Sequence, residues 1–163
     1  MKYRISLKKI VSEDFESFVA MVGNEKVMAM ITERALMIEE AQKKFENMLQ
    51  NSELDPLYGS FRVVEKKSAK VIGFAKLEIT RERRNEAELG FMLLPVFWGL
   101  GLGSEIARIL LDVAKSDPRL KRVYANIDPN NEASRKILVN NGFKSEKVGE
   151  INGLPGEILA LSV

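Results

Sequence analysis

The chain has 163 residues, 45% hydrophobic and 29% charged, with 25 Lys and Arg against 23 Asp and Glu, the profile of one soluble domain spanning 1–163. The net charge of +2 offers no basic surface for nucleic acid or membrane, and no apolar run nears the roughly 18 residues that cross a bilayer, so a cytoplasmic location is expected. Cys and His are both absent, which excludes thiolate or imidazole metal sites, disulfides, Cys nucleophiles and every His-dependent triad; no metal is expected, and any catalysis falls to carboxylates, hydroxyls, amines and backbone dipoles.

Apolar and polar residues alternate from Tyr3 to Leu7, which predicts a strand. Ser12-Glu13-Asp14 supplies a cap and first-turn acids for a helix carrying Phe15, Phe18, Val19 and Val22, and Gly23-Asn24 stops it. A short helix is expected around Glu25 to Ile31, and Ile38, Ala41, Phe45, Met48 and Leu49 mark a longer one ending near Gln50, with a loop from Asn51 to Gly59. The period then changes. Phe61 to Val64, Val71 to Ile79 and Ala87 to Leu94 read as an antiparallel meander ended by Pro95. A helix from Ser104 to Lys115, a strand from Val123 to Ile127 and a helix from Glu132 to Asn140 follow, the last closed by Asn141-Gly142 as a left-handed cap. Lys144 to Ile151 and Glu157 to Ser162 are expected to flank a hairpin turn at Asn152 to Gly156.

The strongest local signal is Trp98-Gly99-Leu100-Gly101-Leu102-Gly103-Ser104 between a strand and a helix. Glycines let backbone N–H groups converge, and the helix start adds its partial positive charge, so the loop suits phosphate or pyrophosphate. A P-loop would need Gly-Lys-Ser/Thr here, which is missing. A dinucleotide fingerprint lacks its third small residue and its parallel βαβ setting, so NAD binding is set aside.

The segment Ala87-Glu88-Leu89-Gly90-Phe91-Met92-Leu93-Leu94-Pro95-Val96-Phe97-Trp98-Gly99-Leu100-Gly101-Leu102-Gly103 resembles the acetyl-CoA motif of the GCN5-related N-acetyltransferase (GNAT) superfamily. Asn131-Glu132-Ala133-Ser134, followed by Gly142-Phe143, is similar to the family's second signature, and with Trp98 it resembles the branch of ribosomal-protein N-terminal acetyltransferases. The resemblance extends over the whole order of elements. It implies an α+β fold, a mixed and mostly antiparallel sheet of about seven strands with helices on both faces, and acetyl-CoA as acyl donor. It also implies that the backbone of Phe91, Met92 and Leu93 pairs with the pantetheine arm. The amides of Trp98, Gly99, Leu100, Gly101, Leu102, Gly103 and Ser104 would hold the pyrophosphate, and Asn131 the arm nearer the thiol. Two departures stand out: Leu100 replaces a frequent Lys or Arg, and Leu138 a frequent Tyr acid.

Transfer to an amine needs a proton acceptor and a donor at the sulfur. Glu88 is the candidate base, with Glu150 behind it, and Ser134 the candidate acid, with Tyr124 and Tyr58 as the remaining phenols; each also has an ordinary reading as a solvated charge, a helix-bonded hydroxyl or a packed ring. An α-amine with a pKa of about 7.7 to 8.0 is partly neutral near pH 7.5, whereas a lysine-like amine near about 10.4 is not. The expected acceptor is therefore a peptide N-terminus, with a polyamine or other small amine as the alternative and a non-catalytic acyl-CoA-binding domain as the competing class. Acceptor selection is expected from Met28 to Leu36, Leu54 to Gly59 and the Asn152 hairpin, and open strand edges suit a homodimer.

Overall fold

The computed structural model describes residues 2–163. The elements in chain order are β1 (Ile5–Lys9), α1 (Phe15–Val22), α2 (Glu25–Met28), α3 (Ile38–Ser52), β2 (Gly59–Glu65), β3 (Val71–Glu78), β4 (Glu86–Leu93), α4 (Leu102–Ser116), β5 (Arg122–Ile127), α5 (Glu132–Asn140), β6 (Lys144–Ile151) and β7 (Leu154–Ser162). The strands form one seven-stranded sheet in the order β1-β2-β3-β4-β5-β7-β6. Every neighbouring pair is antiparallel except β4 and β5. This is the mixed α+β sheet expected.

Alternation along each strand divides the core into two layers. On one face, Val63, Leu77, Leu89, Leu93 and Val123 pack against Leu102, Ile106 and Leu110 of α4 and Leu138 of α5. On the other, Phe74 and Met92 meet Phe18 of α1 and Phe45 of α3, the Phe18 and Phe74 rings standing edge to face with centroids 5.5 Å apart. Among the described residues, no helix is long and apolar enough to cross a membrane. Both sheet edges are open, but β6 exposes Lys144, Glu146, Lys147 and Glu150, charges that oppose pairing with a second copy.

Several boundaries differ from expectation for identifiable reasons. The first strand is Ile5–Lys9 rather than Tyr3 to Leu7: the Arg4 N–H and side chain turn to Glu105, although its carbonyl still accepts the Lys66 N–H at 3.0 Å, and Lys9 pairs opposite Phe61. Asp14 rather than Ser12 closes the turn before α1, its carboxylate accepting the Val11 N–H at 2.8 Å. The last strand starts at Leu154 rather than Glu157: Asn152 and Gly153 take positive φ values of 53° and 83°, a two-residue turn that leaves Pro155 and Gly156 free to pair.

The connection from α3 to β2 is tied down by charge. The Lys9 ammonium donates to the carbonyls of Ser52 and Asp55 at 2.6 and 2.8 Å, and Arg119 bridges Asp55 and Asp117. The Tyr58 hydroxyl donates to Asp117 at 2.6 Å. Hydrogen bonds from Arg119 and then Tyr58 hold the Asp117 carboxyl well below the usual range, and burial and Asp117 push the Tyr58 phenol up. Because folded Asp117 binds its proton less readily than in the unfolded chain, its stabilisation is present at neutral pH and lost as pH falls below about 4. Asp117→Asn is therefore expected to lower the urea midpoint at pH 7, with the difference from the parent protein shrinking as denaturation is repeated toward pH 2.

Candidate active site

The β4–β5 pairing ends early. Glu86, Ala87 and Glu88 align with Arg122, Val123 and Tyr124, and beyond that row the two strands separate. β4 stays with β3 as far as Leu93, while β5 stays with β7 as far as Ile127. The gap opens a cleft of about 740 Å³, lined on one side by Phe91, Asn131, Ser134 and Leu138 and on the other by Lys44, Lys76, Glu78 and Glu88.

Register determines which backbone groups face the gap. The Leu94 N–H donates to the Ile72 carbonyl at 3.0 Å, so by antiparallel alternation Met92 and Gly90 also turn their polar groups toward β3. Leu89, Phe91 and Leu93 turn theirs away from it. Met92 thus reaches the cleft with its side chain, whereas Phe91 presents both backbone groups. The Leu93 carbonyl accepts from Trp98 Nε1 at 2.8 Å, which ends the free edge there and anchors the following loop.

That loop leads into α4 through Gly101 at φ 81°, a left-handed conformation that glycine adopts without strain. A Cβ on Gly103 would lie 2.9 Å from Ile137 Cδ1 and 3.0 Å from Phe91 Cε2, so this glycine lets α4 close onto β4 and α5. The amides of Leu102, Gly103 and Ser104 sit in the first turn, where no intrahelical acceptor reaches them. Leu102 is buried in the core, Ser104 is half-buried, and Gly99 and Leu100 are exposed. Gly103 therefore adjoins the cleft through the Phe91 ring, while none of Trp98 to Ser104 lines the cleft itself. In α5, Asn131 Oδ1 accepts the Ser134 N–H at 3.2 Å, leaving Nδ2 as a donor at the cleft.

The other expected residues are distributed less simply. Glu88 lines the cleft in an ion pair, with Lys76 Nζ 3.2 Å from Glu88 and 3.4 Å from Glu78. Burial works against the Lys76 charge, but Glu88 and then Glu78 outweigh it and hold the ammonium above an ordinary lysine. Burial and Lys76 push Lys44 down. Glu150 is exposed on the edge strand outside the cleft, Tyr58 lies in the Asp117 network, and Tyr124 lines a separate acidic pocket. Burial, Glu88 and Glu86 raise the Tyr124 phenol. Met30, Ile31, Thr32 and Glu33 and the hairpin residues Asn152 and Pro155 do line the cleft, but residues 54–59 do not, because the Lys9 and Arg119 contacts hold them elsewhere.

The inward stripe of α3, Lys44, Asn47, Met48 and Asn51, was not anticipated. Its polar members read in sequence like a solvent face. Asn51 donates Nδ2 to the Ile79 carbonyl at 2.9 Å, while its buried Oδ1 has no partner among the described residues. Lys76 carried a legible signal, as a lone cation within the apolar run Val71 to Leu77.

Residues 4–144 match the family model described as Acetyltransferase (GNAT) domain. An uncharacterized N-acetyltransferase of Bacillus subtilis (strain 168), YoaA, is 28% identical over 148 residues, covering 89% of this chain and 82% of the relative. Among solved structures, the acetyltransferase from Agrobacterium tumefaciens str. C58 shares the fold with a TM-score of 0.83 at 17% identity, over 99% of this chain and 92% of that one. Spermidine N-acetyltransferase from Vibrio cholerae, solved with CoA and spermine, has a TM-score of 0.78 at 18% identity, over 98% and 95% of the two chains.

The Lys76 cluster is open to direct measurement. In an NMR titration of the lysine side chains, Lys76 is expected to deprotonate above ordinary lysines and Lys44 below them. Glu88→Gln removes the larger of the two opposing carboxylates, so the Lys76 midpoint should fall in that variant; an unchanged midpoint would separate the two residues electrostatically.

Proposed function

The chain belongs to the GNAT acetyltransferase family, and from that premise we propose that it is an acetyl-CoA-dependent N-acetyltransferase acting on a primary amine by direct transfer. The observation that carries the reading is the free backbone edge at Phe91, whose ring packs against the glycine-led start of α4. The residues fit such a donor. Phe91 N–H and C=O and Leu93 N–H are available to an extended amide arm. The amides of Leu102, Gly103 and Ser104 suit its phosphates, and Asn131 Nδ2 offers a further donor at the cleft. Acetyl-CoA bound there supplies an acyl group already activated as a thioester, so no covalent enzyme intermediate is needed.

Glu88 accepts the acceptor's proton through water, standing at the last paired row before the gap with Lys76 holding its carboxylate in place. Ser134 supplies the hydroxyl at the sulfur end, since Leu138 leaves the adjacent α5 position without an acid. The modest proton machinery favours an amine of low pKa. That supports a peptide N-terminal α-amine, in keeping with the resemblance to the ribosomal-protein branch. Glu33, Glu78 and Glu88 in the same cleft favour a second reading, a small polyamine like that named with the Vibrio cholerae relative. A cytoplasmic location accompanies either acceptor.

Thiol release from acetyl-CoA, followed over short N-terminal peptides, spermidine and free lysine, tests the reading. Turnover greatest with peptides is expected; a large excess with spermidine selects the second acceptor class, and acetyl-CoA binding without acceptor-dependent thiol would reduce the protein to a binding domain. Glu88→Gln is expected to lower kcat by about 10²-fold with acetyl-CoA affinity intact. Gly101→Val, which forces a β-branched residue into the left-handed region at the cradle, should weaken acetyl-CoA binding at least about tenfold.

A further inference from the structure

The phosphate cradle carries an electrostatic contradiction. Glu105 lies in the first turn of α4, 7% exposed, so its carboxylate opposes any anion drawn to the neighbouring amides. From Leu94 to Ala107 the chain has no Lys or Arg to offset it. The compensating cation comes from the far end of the sequence. Arg4, just before β1, donates its backbone N–H to Glu105 Oε1 at 2.7 Å and its Nε to Oε2 at 2.6 Å. The same guanidinium donates Nη2 to the Leu100 carbonyl at 2.7 Å, and a Cβ on Gly101 would stand 3.4 Å from that nitrogen. One side chain therefore neutralises Glu105 and clasps the glycine loop at the residue before the α4 cap.

We infer that Arg4 is a positioning residue for the donor's phosphates: it masks the Glu105 charge and fixes the Leu100 carbonyl, so that the amides of Leu102, Gly103 and Ser104 meet the anion without an opposing carboxylate. The inference deepens the acetyl-CoA reading and rests on it. Arg4 takes over part of the role that Leu100 cannot fill, acting through Glu105 and the loop rather than by contact with the ligand. A carboxylate paired in this way loses most of its field on nearby groups, whereas the same carboxylate left unpaired beside the helix start repels them.

Binding measurements on the intact protein distinguish this role from its alternatives. Affinities for CoA, for dephospho-CoA and for S-acetylpantetheine, which lacks every phosphate, are measured by calorimetry or NMR titration for the parent, Arg4→Gln, Glu105→Gln and the double variant. Arg4→Gln is expected to weaken CoA and dephospho-CoA about tenfold and leave S-acetylpantetheine unchanged. Glu105→Gln alone should bind CoA at least as tightly as the parent, and adding it to Arg4→Gln should restore most of the lost affinity.

No change in Arg4→Gln, or equal loss for all three ligands, overturns the inference. So does a loss that Glu105→Gln fails to restore, which would make Arg4 a direct phosphate ligand, and a loss confined to CoA, which would place it at the 3′-phosphate. If the parent itself binds CoA no better than S-acetylpantetheine, the donor reading falls, and the inference with it. Should Arg4→Gln fold poorly, Glu105→Gln still decides, since weaker CoA binding in that variant contradicts charge masking.

Discussion

The separation of β4 from β5 after the Glu88–Tyr124 row is the constraint from which the rest of the site follows. Each strand keeps one antiparallel partner and gives up the other, so the outward polar groups of Phe91 face an opening instead of a ladder. Backbone donors and acceptors left without a partner must meet water or a ligand. An extended molecule that supplies amides can complete the sheet, and this makes a binding edge from ordinary strand geometry. Trp98 limits its length by occupying the Leu93 carbonyl.

Helix placement converts that edge into a site with two ends. Gly103 brings the start of α4 against Phe91 and Ile137, so the helix amides lie beyond one end of the gap. At the other end, β3 and β4 place Glu78, Lys76 and Glu88 together beneath the inward stripe of α3. Charges in low-dielectric surroundings persist only when paired, and the same rule organises the periphery. Arg4 with Glu105, Arg119 with Asp55 and Asp117, and Arg135 with Glu157 each join elements distant in sequence. The Lys9 and Arg119 contacts leave residues 53–58 as a structural corner, and the walls of the cleft fall instead to the segment after α2 and to the β6–β7 hairpin.

Local chemistry made part of the fold legible in the sequence. Helical periodicity identified α1, α3 and α4, and for α5 Asn141-Gly142 marks a helix end that the structure closes with Gly142 at φ 94°. Boundaries failed where a distant partner intervened. Alternation from Tyr3 carried no trace of Glu105, which takes the Arg4 N–H and side chain at the strand's start. Asn152-Gly153 alone is enough for a tight turn, and Pro155 on the inner side of the hairpin concealed how early β7 resumes. The polar residues on the inward face of α3 looked solvated, because periodicity separates apolar from polar faces and does not distinguish a cleft from bulk water.

The amino-acid sequence by itself determined the order of elements, the glycine spacing that frees amides at a helix start, and, through the absence of His and Cys, the restriction to carboxylate, hydroxyl, amine and backbone-dipole chemistry. Those are properties of residue types and their local spacing. Tertiary structure alone decided that Phe91 rather than Met92 turns its backbone to the gap, that Glu88 shares Lys76 with Glu78, and that Arg4 reaches Glu105 across 101 positions. Each depends on strand register or on a long-range ion pair, and both arise only when separate segments pack against one another.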